Sequence, residues 1–164
     1  MLHAPVIDDF EFVRSGSRLS GKWQVKDFPR LRDELYATHG TLHYALRGLP
    51  QEQGQPALRL GVEGTLQLMC QRCLGPLDFA LRLQALLLLY GHEAEIAVLE
   101  ADAEGPERIV AEREMSVLDL VEDEVLLAIP IAPRHEQCRS REGDASAARQ
   151  RPFAGLRGLM GGKR

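Results

Sequence analysis

Between Ala57 and Met69, apolar and polar side chains alternate almost without a break. Leu58, Leu60, Val62, Leu66 and Leu68 interleave with Arg59, Glu63, Thr65 and Gln67. A period of two puts one set on each side of an extended chain, so the segment specifies a strand with a buried face and a wet face. Thr41–Leu49 nearly repeats the pattern, as do Phe79, Leu81, Leu83 and Ala85. The polar stretch Pro50-Gln51-Glu52-Gln53-Gly54-Gln55-Pro56 and the pair Gly75-Pro76 separate these runs as turns. The expected scaffold is an antiparallel meander of three or more strands. Leu86–Tyr90 is apolar throughout, which places that end of its strand centrally or under cover on both faces.

Helix signals are fewer. Ser116 with Asp119 three positions on resembles a capping box, and Val117, Leu118, Val121 and Val125 recur at helical spacing. A helix is expected over 116–129, stopped by Pro130 and Pro133. Asp27 before Phe28-Pro29, with Leu31, Leu35 and Tyr36 ahead of Gly40, predicts a second helix over 28–38. Phe10–Gln24 reads as extended or looped chain. Residues 91–112 read as an irregular acidic loop with a short strand near Ile109-Val110. The fold class that follows is α+β: a mostly antiparallel sheet packed by one or two helices, with an acidic loop and a flexible basic C-terminal tail.

In 164 residues, 45% of them hydrophobic, there is material for one core, which assigns 1–140 to a single domain and 141–164 to the tail. No apolar run approaches the roughly 20 residues of a membrane span, and the acidic start lacks the order of a secretory signal. The cytoplasm is the expected location. Charge is segregated: residues 91–124 carry twelve acidic side chains against Arg108 and Arg113, whereas residues 134–164 carry eight basic ones against Glu136, Glu142 and Asp144. Basic side chains in the tail, among them Arg149, Arg151 and Arg157, suit phosphate neutralisation and salt-sensitive binding to nucleic acid; a solvated tail is the plain alternative.

Cys70-Gln71-Arg72-Cys73 is the sharpest local signal, because two thiolates three positions apart on a tight turn can hold one zinc ion. His135-Glu136-Gln137-Cys138 offers a second pair of similar spacing. Cys70, Cys73, His135 and Cys138 would then form a closed, structural Cys3His set that pins the segment after Pro133 to the strand turn. Reduced, unligated thiols are the alternative. A redox role needs a depressed thiol pKa, usually from a helix start, and strands flank the pair here. Glu122, Asp123 and Glu124 read as a solvated helix face rather than acid–base machinery. No phosphate-cradling glycine loop, nucleophile elbow or His-Glu-x-x-His pair is present. The residues offer nothing positive for an enzyme or for a small-molecule substrate.

Read in order, Cys70-Gln71-Arg72-Cys73-Leu74, Asp119-Leu120 with Glu122-Asp123-Glu124, and Leu127 through His135 with Cys138 resemble the motifs of the YceD family. Arg151-Pro152-Phe153-Ala154 with Leu156 and Leu159 is similar to the family's Asn-Pro-Phe-Ala-x-Leu ending, with arginine in place of asparagine. The resemblance implies a role in accumulation of 23S ribosomal RNA and the large ribosomal subunit in bacteria. The expected partner is ribosomal RNA or a large-subunit ribosomal protein, docked through Arg149, Arg151, Pro152, Phe153, Leu156 and Arg157. Rival readings are a zinc-containing nucleic-acid-binding module of other purpose and a thiol enzyme using Cys70 or Cys73.

Overall fold

The computed structural model describes residues 4–99 and 105–137. The chain starts with a short strand β1 (Val6–Ile7), a helix α1 (Asp9–Arg14) and a strand β2 (Arg18–Gln24). Two 3-10 turns, Val25–Asp27 and Leu31–Glu34, lead into β3 (Leu35–Ala37). Three long strands follow, β4 (Thr41–Glu52), β5 (Gln55–Met69) and β6 (Pro76–Tyr90). Helix α2 (Glu93–Ala97), strands β7 (Glu107–Val110) and β8 (Met115–Ser116) and helix α3 (Val117–Ala128) complete the described elements.

The alternating runs form the meander their pattern specifies. The main sheet has the order β2-β4-β5-β6-β7, with β3 pairing β5 beyond the end of the β4 ladder, and β1 pairs β8 separately. All these pairings are antiparallel except β6 with β7. The fold is α+β. The turn between β4 and β5 is tighter than the polar stretch 50–56 suggested. It closes in Gln53-Gly54, with φ of 51° and 83°, the two left-handed positions of a primed hairpin turn. The strand near Ile109-Val110 is β7. The apolar end of β6 is buried at Leu87, Leu88 and Leu89 between β5 and β7.

One face of the sheet makes the core. Register sets Leu42 beside Gly64, Tyr44 beside Val62 and Leu46 beside Leu60, while Leu81 and Leu87 continue the layer on β6. Leu42, Leu46, Leu58, Leu60 and Leu66 are all at most 1% exposed. Trp23 stacks on Tyr44 at 4.2 Å and meets Phe28 edge-on at 5.9 Å, closing the β2 end. Helix α3 adds Val117, Leu120, Val121 and Val125 to the same core. Its cap is the expected one: the Ser116 hydroxyl oxygen accepts the Asp119 N–H at 3.3 Å.

Gly48 is a packing requirement. A Cβ there would lie 2.5 Å from the Phe12 carbonyl oxygen and 2.7 Å from the Val13 Cα, so α1 rests directly on the β4 backbone. Gly48→Ala is expected to push α1 off the sheet and lower stability by about 1–3 kcal/mol, the usual range for overpacking, as read from a urea melt. An unchanged midpoint would show that α1 yields freely.

Three local expectations need correction. Residues 28–38 are not a helix. Phe28 is extended (φ −96°, ψ 105°), the conformation favoured before a proline. Asp27 does not cap forward; its carboxylate accepts the Gln24 N–H at 3.1 Å and closes the turn behind it. Leu35 then joins the sheet opposite Leu68. The second correction concerns Phe10–Gln24: β2 is extended chain as expected, but residues 10–14 belong to α1. Asp8 caps α1, accepting the Glu11 N–H at 2.9 Å. Finally, the part of residues 91–112 ahead of the expected strand is not irregular throughout, since α2 lies within it.

Candidate metal centre

The tip of the β5–β6 hairpin is built so that its two cysteines face one point. The ladder continues one step past the strands, with the Cys70 N–H donating to Gly75 O at 2.9 Å. The chain then curls, with the Leu74 N–H donating to Cys70 O at 2.8 Å and Leu74 itself in the left-handed region at φ 59°. A non-glycine residue there carries strain of order 1 kcal/mol, which the surrounding bonds must hold. The segment leaving α3 docks on this tip through the Gln71 N–H, which donates to Pro133 O at 2.8 Å. That docking brings up His135, sixty-two residues from Cys73 in sequence.

Cys70, Cys73 and His135 have their ligand atoms all within 4.8 Å of one another. His135 Nδ1 lies 3.5 Å from Cys73 Sγ, and Nε2 lies 2.9 Å from Pro76 O. A proline carbonyl can only accept, so Nε2 is the donor in that contact, which leaves Nδ1, facing the sulfurs, as the nitrogen available to a metal. A carbonyl fixing the outer nitrogen of a histidine is the usual second contact of a metal-binding imidazole. Cys70 is fully buried. Burial pushes its thiol up, but the N–H groups of Cys73, Arg72 and His135, with the Cys73 side chain, more than reverse this and hold it at about 5.

The donor set fits zinc. Two sulfurs and an imidazole are the borderline-soft ligands zinc takes. Tetrahedral bonds of about 2.0–2.3 Å separate ligand atoms by roughly 3.5 Å, close to the Cys73–His135 distance. Cys138 lies outside the described residues, and so do Arg149, Arg151, Pro152, Phe153, Leu156 and Arg157 of the expected docking segment. The depressed Cys70 thiol corrects the argument that flanking strands leave such a pair unactivated: the turn's own N–H groups do what a helix start would do. A fully buried sulfur is nevertheless out of a substrate's reach and suits a ligand better than a nucleophile.

Glu122 is not part of a solvated helix face. It is 0% exposed and accepts the N–H groups of Arg30 at 2.7 Å and Leu31 at 2.9 Å through one oxygen, and Arg30 Nε at 3.0 Å through the other. Arg30 also reaches the Asp123 carboxylate, and these two acids raise its pKa, Glu122 the more. Only Asp123 of the three acids is exposed. Glu124 is half-buried and lies near Glu107, and burial together with that carboxylate raises it to about 7.

Fold and site together define a small α+β protein with a thiolate–imidazole cluster at a hairpin tip. The family model described as "Large ribosomal RNA subunit accumulation protein YceD" matches residues 58–160. The match covers well over half of the chain, which therefore belongs to the YceD family. No curated protein and no solved structure matches it. No helix among the described residues is long and apolar enough to cross a membrane.

Proposed function

We propose that this protein is a non-catalytic accessory factor of ribosome biogenesis that acts in the cytoplasm to promote accumulation of 23S ribosomal RNA and the large subunit. The supporting observation is the Cys70–Cys73–His135 cluster, which fastens the chain leaving α3 to the sheet within the family-matched region. Cys138 supplies the fourth ligand and zinc fills the set. The metal's role is structural: with four protein ligands no position remains for a substrate, and the ion fixes the root of the basic tail, 141–164. That tail docks on ribosomal RNA, Arg149, Arg151 and Arg157 meeting phosphates and Pro152, Phe153 and Leu156 giving apolar contact. Eight basic side chains against three acidic ones over 134–164 favour RNA over a ribosomal protein as the partner.

The test is elemental analysis of protein purified without chelator, with thiol titration, for wild type and Cys138→Ser, followed by large-subunit profiles of cells carrying each form and a chain truncated before Gln150. The expected result is about one zinc per chain, weakened or lost in Cys138→Ser, and loss of large-subunit association on truncation. Metal-free wild type with three titratable thiols would sink the zinc centre. Unchanged association of the truncated chain would sink tail docking. Equal binding of unrelated RNA would favour a general nucleic-acid module.

A further inference from the structure

The sheet's solvent face is as ordered as its core face. Register carries Lys22, His43, Glu63 and Arg82 into one cross-strand row and Ser20, Ala45, Gly61 and Gln84 into the next. Arg18, Arg47 and Arg59 form a third row. All of these are exposed except the partly covered Gly61. The middle row is mostly small, so it forms a floor: two adjoining surface depressions share Ala45, Gly61 and Gln84 and merge into one trough. Same-face neighbours along a strand are about 6.7 Å apart, which sets the two charged rows roughly 13 Å from each other across that floor.

The rims are cationic. Arg18, Lys22, Arg47, Arg59 and Arg82 are half of the ten Lys/Arg in residues 1–90. The acids here are Glu63 and Glu52, the latter 3.3 Å from Arg59. Arg18, Arg47 and Arg59 stand directly opposite one another on three adjacent strands. Like charges in opposed positions destabilise a sheet; Glu52 offsets this at Arg59, and a polyanion lying on the row would offset it at Arg18 and Arg47. Of the two charged rows only one holds an aromatic ring, the exposed His43 imidazole, so bases have at most that one place to stack, and the trough is open rather than an enclosed pocket. What it matches is a chain of phosphates.

We propose that this trough is a track for the phosphate backbone of an RNA strand, a second contact surface separate from the tail. That the polyanion is RNA rests on the ribosomal reading above; the track itself rests on the paired charge rows. Binding here is sequence-tolerant and salt-sensitive, since the contacts are to phosphates.

The experiment uses the full chain and fluorescence anisotropy with a labelled single-stranded fragment of 23S ribosomal RNA over a series of salt concentrations. The variants are Arg18→Gln with Arg47→Gln, and the charge-matched Lys26→Gln with Arg32→Gln on exposed positions outside the trough. The trough variant is expected to bind on the order of 10-fold more weakly, with a salt slope shallower by about 1.4, at roughly 0.7 per lost phosphate contact. The control is expected to match wild type. Thermal unfolding checks that the trough variant is folded; relief of arginine repulsion predicts no loss of stability. Equal affinity and slope in the trough variant would overturn the track, and tail docking would survive if truncation before Gln150 abolished binding. Wild type that binds no RNA yet still associates with large-subunit fractions would also overturn it, leaving the proposed function with a protein partner.

Discussion

Replacing Glu122 by alanine is expected to cost about 3–5 kcal/mol of folding stability, because it removes a charged acceptor from two backbone N–H groups at about 1.5–3 kcal/mol each. The Arg30 side chain is 50% exposed, so water screens its ion pair and the pair alone contributes little. The larger share belongs to the Arg30 and Leu31 N–H groups, because the Leu31 bond is buried and water cannot replace a lost acceptor there. Glu122→Gln, which keeps an acceptor oxygen, is therefore expected to lose only about 1–2 kcal/mol, and Arg30→Met less than either Glu122 variant. Thermal melts of the three variants decide the matter, with the alanine variant falling on the order of 10 °C. If Arg30→Met proved as harmful as Glu122→Ala, the ion pair and not the backbone anchor would be the source.

Along with Glu124, raised to about 7, Asp9 should make stability depend on pH. Its carboxyl is fully buried; one oxygen accepts the Glu112 N–H at 2.9 Å and the other has no hydrogen-bond partner. Burial raises it from 3.8 to about 6; the Glu112 N–H pulls the other way, and the Glu112 and Asp8 charges push it further up. Between about pH 4 and 6 the folded chain thus holds this proton more tightly than the unfolded chain does. The stabilisation is complete below pH 4 and disappears as pH rises through 6, a swing of about 3 kcal/mol at 1.36 kcal/mol per pKa unit. Asp9→Asn keeps an acceptor for Glu112 and cannot ionise. Its stability relative to wild type should climb from near zero below pH 4 to about 3 kcal/mol above pH 6.5, the full swing that wild type loses. Parallel denaturation curves for the two proteins across this range would refute it.

The two predictions involve residues that sequence reasoning handled unequally with the rest. The strands β4, β5 and β6 and helix α3 were legible because one side of each faces the core for most of its length, and the period of that face is the signal. Helix α1 has only six residues, too few for a period, although Asp8 with Glu11 was a usable cap signal. Residues 28–38 misled because their local preference was overridden. Glu122 takes two N–H groups that a helix start leaves unpaired, and Leu35 gains more in the sheet opposite Leu68 than in a short helix. Glu122 itself was hidden by its neighbours, since three adjacent acids read as solvent-facing. Of the centre, the Cys70–Cys73 pair and His135 were visible as spacings, but their meeting depends on Pro133 docking at Gln71. The trough's charges were visible too, as alternate polar positions; their alignment into rows needed the register.

The Glu122 bridge also has a consequence for synthesis. The N–H groups of Arg30 and Leu31 leave the ribosome about ninety residues before their acceptor. At roughly 5–20 residues per second, the segment from Val25 to Ala37 waits about 5–20 s for the carboxylate that holds it. During that interval the β4–β5–β6 meander can pair while the Trp23–Phe28 end of its core stays uncovered. Helix α3 thus acts as the closing latch of a nascent chain, and translation speed sets how long the apolar edge remains open to other contacts.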